Sequence, residues 1–199
     1  MHGRQRQWSC LLLATCCFSP AFAGDVDVVV YQAPKLFFAS PENTPTLGPV
    51  VSMAAPDRPN FGSDPGERFA LALADSLRAK IGKELDLPTH ATQGPPRTSL
   101  IVNPAGAKSL IIYTTMNFLG YRPFGWRTYQ YGYAAYIRVV DDNARTILET
   151  NCKVSPNKGD PELQLKRDEL QTAGRFDEVV DRVVAKCADQ VTDRIAAIL

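Results

Sequence analysis

The sequence predicts an α+β domain: a mainly antiparallel sheet of about four strands, with two long helices packed on one of its faces. Apolar and aromatic residues alternate with period two through three consecutive runs between residues 109 and 154. Apolar residues recur at helical spacing in two other stretches, one after residue 65 and one after residue 176. A single earlier alternating run, residues 25–33, precedes the first of these helical stretches.

That first run, DVDVVVYQA, is rich in Val and ends on Tyr31, the composition of a strand. Residues 34–66 then form a proline-rich arm or loop, with Pro41, Pro45, Pro49, Pro56, Pro59 and Pro65. Each proline removes a ladder donor and blocks helix. Phe37, Phe38, Leu47, Val50, Val51 and Met53 lie within the arm and predict that it packs over the domain or a partner.

The first helix has a readable entry. Asp64 can cap, Pro65 suits the first helical position, and Glu67 completes a D-x-x-E box. Phe69, Leu73, Leu77, Ile81 and Leu85 form its stripe, and Leu87-Pro88 ends it. The meander follows, with strands over residues 109–121, 128–140 and 145–154, and a short extra strand is possible at 99–103. Residues 122–127 connect the first pair, and Asp141-Asp142-Asn143-Ala144 turns between the second. Along the middle strand Tyr129, Tyr131, Tyr133, Ala135, Ile137 and Val139 share one face. From Pro161 onward the chain reads as helical, with Phe176, Val180, Val183, Val184, Cys187, Val191, Ile195 and Ile198 on one stripe.

The amino terminus predicts export. Arg4 and Arg6 precede an apolar run at 11–18, Ser19-Pro20 breaks it, and Ala21-Phe22-Ala23 is a cleavage pattern. Residues 1–23 are therefore read as a cleavable signal peptide and residues 24–199 as one domain, periplasmic or secreted. The apolar run is far short of the roughly 20 residues a membrane span needs. A competing reading places a lipid anchor on Cys16, although Thr15 fits such a site poorly. Removal of the signal takes away two basic residues and no acidic ones, so 20 basic residues face 21 acidic ones. Such balance leaves no electrostatic footprint for nucleic acid.

Cys10, Cys16 and Cys17 leave with the signal, and the remaining pair, Cys152 and Cys187, is read as a disulfide in an oxidising compartment. A redox pair or metal ligands are the alternatives. The absence of C-x-x-C spacing and of partner histidines speaks against both. One end of the pair is late in the last strand and the other on the final helix, so the bond would staple helix to sheet.

His90 is the single histidine after the signal, which removes multi-histidine zinc sites and H-E-x-x-H helices. Ala105-Gly106-Ala107-Lys108-Ser109 lacks the glycines of a phosphate loop and precedes a strand instead of a helix. Asp141-Asp142 reads as a solvated turn. No catalytic site, metal site or cofactor is predicted. The unusual feature is an aromatic hairpin whose tip carries Tyr121, Arg122, Phe124, Trp126 and Arg127, the candidate partner-binding residues.

In its order of signal, strand, helix, three strands and C-terminal helix, the chain resembles the curli-secretion lipoprotein and related outer-membrane assembly factors. The resemblance covers most of the mature chain at the level of layout, without a shared motif. It implies an assembly or scaffold accessory without enzymatic activity. The expectation is thus an exported envelope protein that is not an enzyme and that binds a protein partner or itself. A periplasmic small-ligand or glycan-binding module built on the aromatic sheet and hairpin is the alternative, and a hydrolase using unpaired carboxylates ranks last.

Overall fold

The computed structural model describes residues 26–38, 62–82, 91–92 (backbone only), 108–121, 128–143, 145–155, 160–172 and 174–199. The elements are β1 (Asp27–Tyr31), β2 (Phe37–Phe38), α1 (Pro65–Ile81), β3 (Ala91–Thr92), β4 (Ser109–Tyr121), β5 (Thr128–Val140), β6 (Thr146–Val154), β7 (Gln164–Lys166) and α2 (Arg175–Ala196). The α+β class holds. Among the described residues the sheet has seven strands instead of about four, because three short ones have no periodicity of their own to betray them.

The long antiparallel pair β4–β5 forms the middle of the sheet, and shorter strands share its two outer edges. β1 and then β2 run parallel to β4 along one edge, and β6 and then β7 run antiparallel to β5 along the other. A parallel neighbour demands a crossover, and α1 lies in the connection from β1 to β4. β3 extends the sheet beyond β1.

Two expectations are corrected here. Phe37-Phe38, read as part of the arm, pairs with Phe118 and Leu119 of β4 as β2. Residues 161–172 form no α-helix: one 3-10 turn (Pro161–Leu163) leads into β7, and α2 begins only at Arg175. The alternation of buried Leu163 and Leu165 lets β7 occupy the stretch of β5 that β6 leaves unpaired. Gly174 adopts φ 86°, a left-handed conformation suited to glycine, and so separates the turn from α2.

Helix α1 starts as its sequence dictates. Asp64 Oδ1 accepts the Gly66 N–H at 2.7 Å, and its second oxygen accepts the Ala33 N–H at 2.9 Å, joining the end of β1 to the helix start. The helix stops four residues before Leu85, because Gly82 closes it in the left-handed conformation at φ 66°. Leu85, His90 and the 99–103 segment lie outside the described residues.

Both helices pack on the same face of the sheet. Phe69, Leu73 and Leu77 of α1 and Val180, Val183, Cys187 and Val191 of α2 meet Tyr129, Tyr131, Tyr133, Ala135, Ile137 and Val139 of β5 in one core. Arg68 ties the helices together through ion pairs with Asp177 and Asp181 of α2. Cys152 of β6 and Cys187 of α2 are joined by a disulfide across a Cα–Cα distance of 5.2 Å.

The core also contains polar pairs. Tyr131 donates to Asn117 Oδ1 at 2.9 Å, and Asn117 Nδ2 donates to the Pro34 carbonyl at 2.9 Å. The hydroxyls of Tyr133 and Thr114 lie 3.0 Å apart. Burial raises the pKa of both tyrosines above the ordinary phenol value, with the nearby Asp64 charge adding to it.

Candidate binding face

A bulge decides which side chains of β4 face the helices. Thr114 pairs with Ala135 and Met116 with Ala134, so Thr115 is an extra residue that shifts the alternation. Leu110, Ile112 and Thr114 point inward before the bulge, and Asn117, Leu119 and Tyr121 do so after it. Strict alternation would have sent Met116 and Phe118 into the core. The bulge instead leaves them on the second face, which none of the described helices covers.

On that face the sheet register aligns a row of tyrosines. Tyr31 of β1 pairs with Tyr113 of β4, Tyr113 pairs with Tyr136 of β5, and Tyr136 pairs with Asn151 of β6. The Tyr31 and Tyr113 rings meet edge to face at 6.3 Å. Ile111 and Val140 pack beneath Tyr31, with Val29 and Tyr113 alongside. Beside the tyrosine row, Arg138 lies over the Tyr136 ring at 5.6 Å, donates to the Tyr136 hydroxyl at 3.3 Å and pairs with Glu149 at 3.0 Å. The hydrogen bond to Tyr136 raises the Arg138 pKa above its ordinary value despite desolvation, and Glu149 reinforces it.

Toward the other end, Phe37 stacks on Phe118 with ring centroids 5.2 Å apart. The Phe118 ring lies over Gly120, where an added Cβ would come within 2.2 Å of it. Glycine is therefore what allows the ring to lie flat on the strand. Gln130, also on this face, is buried with its Nε2 donor unbonded, and the Nε donor of Arg138 is likewise buried and unbonded. Half-buried Tyr113, Tyr136, Phe118 and Arg138, with exposed Phe37, suit recognition of another surface.

Of the candidate residues at the hairpin tip, Tyr121 packs edge-on against Tyr129 at 5.7 Å on the helix side of the sheet. Arg122, Phe124, Trp126 and Arg127 lie outside the described residues, as do the signal segment, Ala23 and Cys16. The structure redirects the ligand alternative. Tyr129, Tyr131 and Tyr133 are core residues beneath the helices, with Phe38, Phe176 and Phe69 as ring partners. On the opposite face Tyr113 and Tyr136 are half-buried, whereas Tyr31 is buried. Tyr136 could have been assigned there from alternation alone, whereas Tyr31 and Tyr113 join it only through strand pairing.

Among the described residues no group of three or more His, Cys, Asp or Glu side chains is placed to hold a metal ion. Among them, too, no helix is long and apolar enough to cross a membrane.

No protein-family model matches the sequence, and no curated protein matches it. Some solved structures are distantly similar to it. A DUF330-family protein from Xanthomonas campestris is 10% identical, with a TM-score of 0.43 over 87% of this chain and 81% of its own. A lipoprotein candidate from Caulobacter crescentus is 12% identical, with a TM-score of 0.39 over 69% of this chain and 84% of its own. The PelC dodecamer of Paraburkholderia phytofirmans is 10% identical, with a TM-score of 0.40 over 84% of this chain and 85% of its own. None of these three is a curli-secretion protein. At such identities and TM-scores the likenesses carry neither family nor function across to this chain.

Proposed function

We propose that this chain is an exported envelope protein without catalytic activity, which works by binding a protein partner through the helix-free face of its sheet. The observation that supports this reading is the half-buried pair Tyr113 and Tyr136 with Arg138 beside it, since Tyr and Arg dominate protein contact surfaces. The signal-like residues 1–23 supply the compartment.

A photoreactive amino acid at position 113, introduced in intact cells, tests the proposal. It should give a discrete crosslinked species that the same group at exposed Leu71 on α1 does not give. Equal crosslinking at both positions, or none at 113, would refute it. Phe124→Ala with Trp126→Ala should weaken capture from position 113 while leaving thermal stability nearly unchanged.

The half-buried rings of Tyr113 and Tyr136 beside Arg138 also admit a second reading, a small polar ligand or glycan on the same face. Ligand-observed NMR against soluble glycans separates the two, because a protein-binding face gives no saturation transfer to sugars.

A further inference from the structure

The outer edge of β6 has an unusual occupant. Lys153 donates its backbone N–H to Gln190 Oε1 at 3.1 Å, and its carbonyl accepts from Gln190 Nε2 at 3.3 Å. The side-chain amide of α2 thus imitates one residue of a neighbouring strand. It also fixes the direction of the edge: Lys153 turns its backbone groups away from β5, and with period two so do Asn151 and Glu149. Both of these residues are exposed, and among the described residues nothing bonds to their outward main-chain groups. At the other end, a register shift against Val139 and Val140 places a bulge at Ile147. The open part of the edge is therefore bounded by a bulge on one side and by Gln190 on the other.

We infer that this edge joins a second copy of the chain, β6 to β6, antiparallel about a two-fold axis through Thr150. In that register Glu149 of each copy exchanges both backbone hydrogen bonds with Asn151 of the other, four bonds in all. These are the groups the monomer leaves unmet. The pairing stops where Gln190 occupies Lys153. Lys153 of the second copy lies one diagonal step from Glu149, so the charges on this face are complementary across the seam. A two-fold axis perpendicular to the sheet keeps both helix layers on one side. It also brings the two Tyr31–Tyr113–Tyr136 rows, each ending at Asn151, into one continuous face. The inference concerns the edge of the sheet and stands whatever the face itself binds.

The rival is an edge blunted by its charges and its bulge, as natural sheets often are, that stays monomeric. Sedimentation of the mature chain from about 10 µM to about 1 mM, a range in which weak homodimers form, decides between them. Mass should double across the series. Hydrogen exchange at the Glu149 and Asn151 amides should slow at least tenfold as concentration rises, with the β5-facing amides unchanged. Asn151→Pro removes an N–H that β5 does not use, so it should abolish association with the fold intact. Gln190→Ala frees Lys153 for a longer pairing and should tighten association at least tenfold. A monomer at the highest concentration with fast exchange at 149 and 151 overturns the inference, as does a dimer that survives Asn151→Pro. The wild-type exchange measurement decides alone if the proline variant fails to fold.

Discussion

Replacing both Cys152 and Cys187 by alanine measures how strongly α2 is held to the sheet. The two cysteines are 35 residues apart. By the chain-entropy relation, closing a loop of that size removes about 13 cal/mol/K from the unfolded chain, or about 3.8 kcal/mol at 25 °C. Both positions are buried, so packing loss adds to that figure in the double variant but not in the reduced wild type. With a urea dependence of about 2 kcal/mol/M, the midpoint should fall by roughly 2 M. The assay is urea unfolding followed by circular dichroism on the oxidised chain, the reduced chain and the double alanine variant. Reduced and alanine forms should agree to within about 1 kcal/mol, the packing share of a small core truncation. A loss below about 1 kcal/mol on reduction, or free thiols in the exported protein, would refute the reasoning. Either result would mean that the bond does not restrict the unfolded chain as the loop length requires.

Other consequences follow from the core and the bulge. Tyr131→Phe leaves Asn117 Oδ1 without its donor inside the core and should cost about 1–2 kcal/mol in the same urea assay. Burial raises the Tyr131 and Tyr133 pKa values, so the fold favours the neutral phenols. Their contribution is intact below the ordinary value near about 10 and is lost as pH rises beyond it. Absorbance titration should therefore show Tyr131 and Tyr133 ionising only together with unfolding, and ionisation of both in the folded chain would contradict this. Deleting Thr115 removes the bulge yet keeps Asn117, Leu119 and Tyr121 facing inward, whereas deleting Phe118 turns Leu119 and Tyr121 outward. The first deletion should give a folded protein with a cooperative melt and the second should not; equal outcomes would show that the bulge does not set the facing.

How far the sequence could be read depended on which physical signal each element carries. Helix α1 announced its start because Asp64 and Pro65 act locally, and the inward set of β5 followed from uninterrupted alternation over thirteen residues. The end of α1 is not legible in the sequence because Leu85 continues the four-residue spacing past Gly82, and a left-handed glycine outweighs one more apolar residue in register. β4 could not be faced correctly throughout, since a bulge has no compositional mark and Thr115 is an ordinary strand residue. The β7 stretch reads as helix in the sequence because Leu163 and Leu170, seven residues apart, also suit a helical stripe. What settles it is the vacant stretch of β5 at residues 128–130, a tertiary fact. The candidate face suffered in the same way. Tyr31 and Tyr113 come from strands far apart in the chain and meet only because β1 pairs in parallel with β4.

The disulfide and the guarded edge of β6 have one origin. Cys187, Gln190 and Arg194 are spaced three and four residues apart on α2 and so share a flank. Cys187 bonds Cys152, Gln190 bonds the backbone of Lys153, and Arg194 donates to the Thr150 hydroxyl at 3.3 Å. One helix flank thus grips β6 covalently from inside and by hydrogen bonds at its margin. The covalent bond holds the other two contacts in register. Gln190 and Arg194 are exposed, and their hydrogen bonds compete with water and contribute little alone. Reduction should therefore speed hydrogen exchange at Lys153 at least tenfold under conditions where the protein stays folded. The amide of Leu148, at the far end of β6 and directed toward β5, should be unaffected. Exchange at Lys153 that ignores the redox state would show that Gln190 holds the edge without help from the staple, and the two features would then be independent.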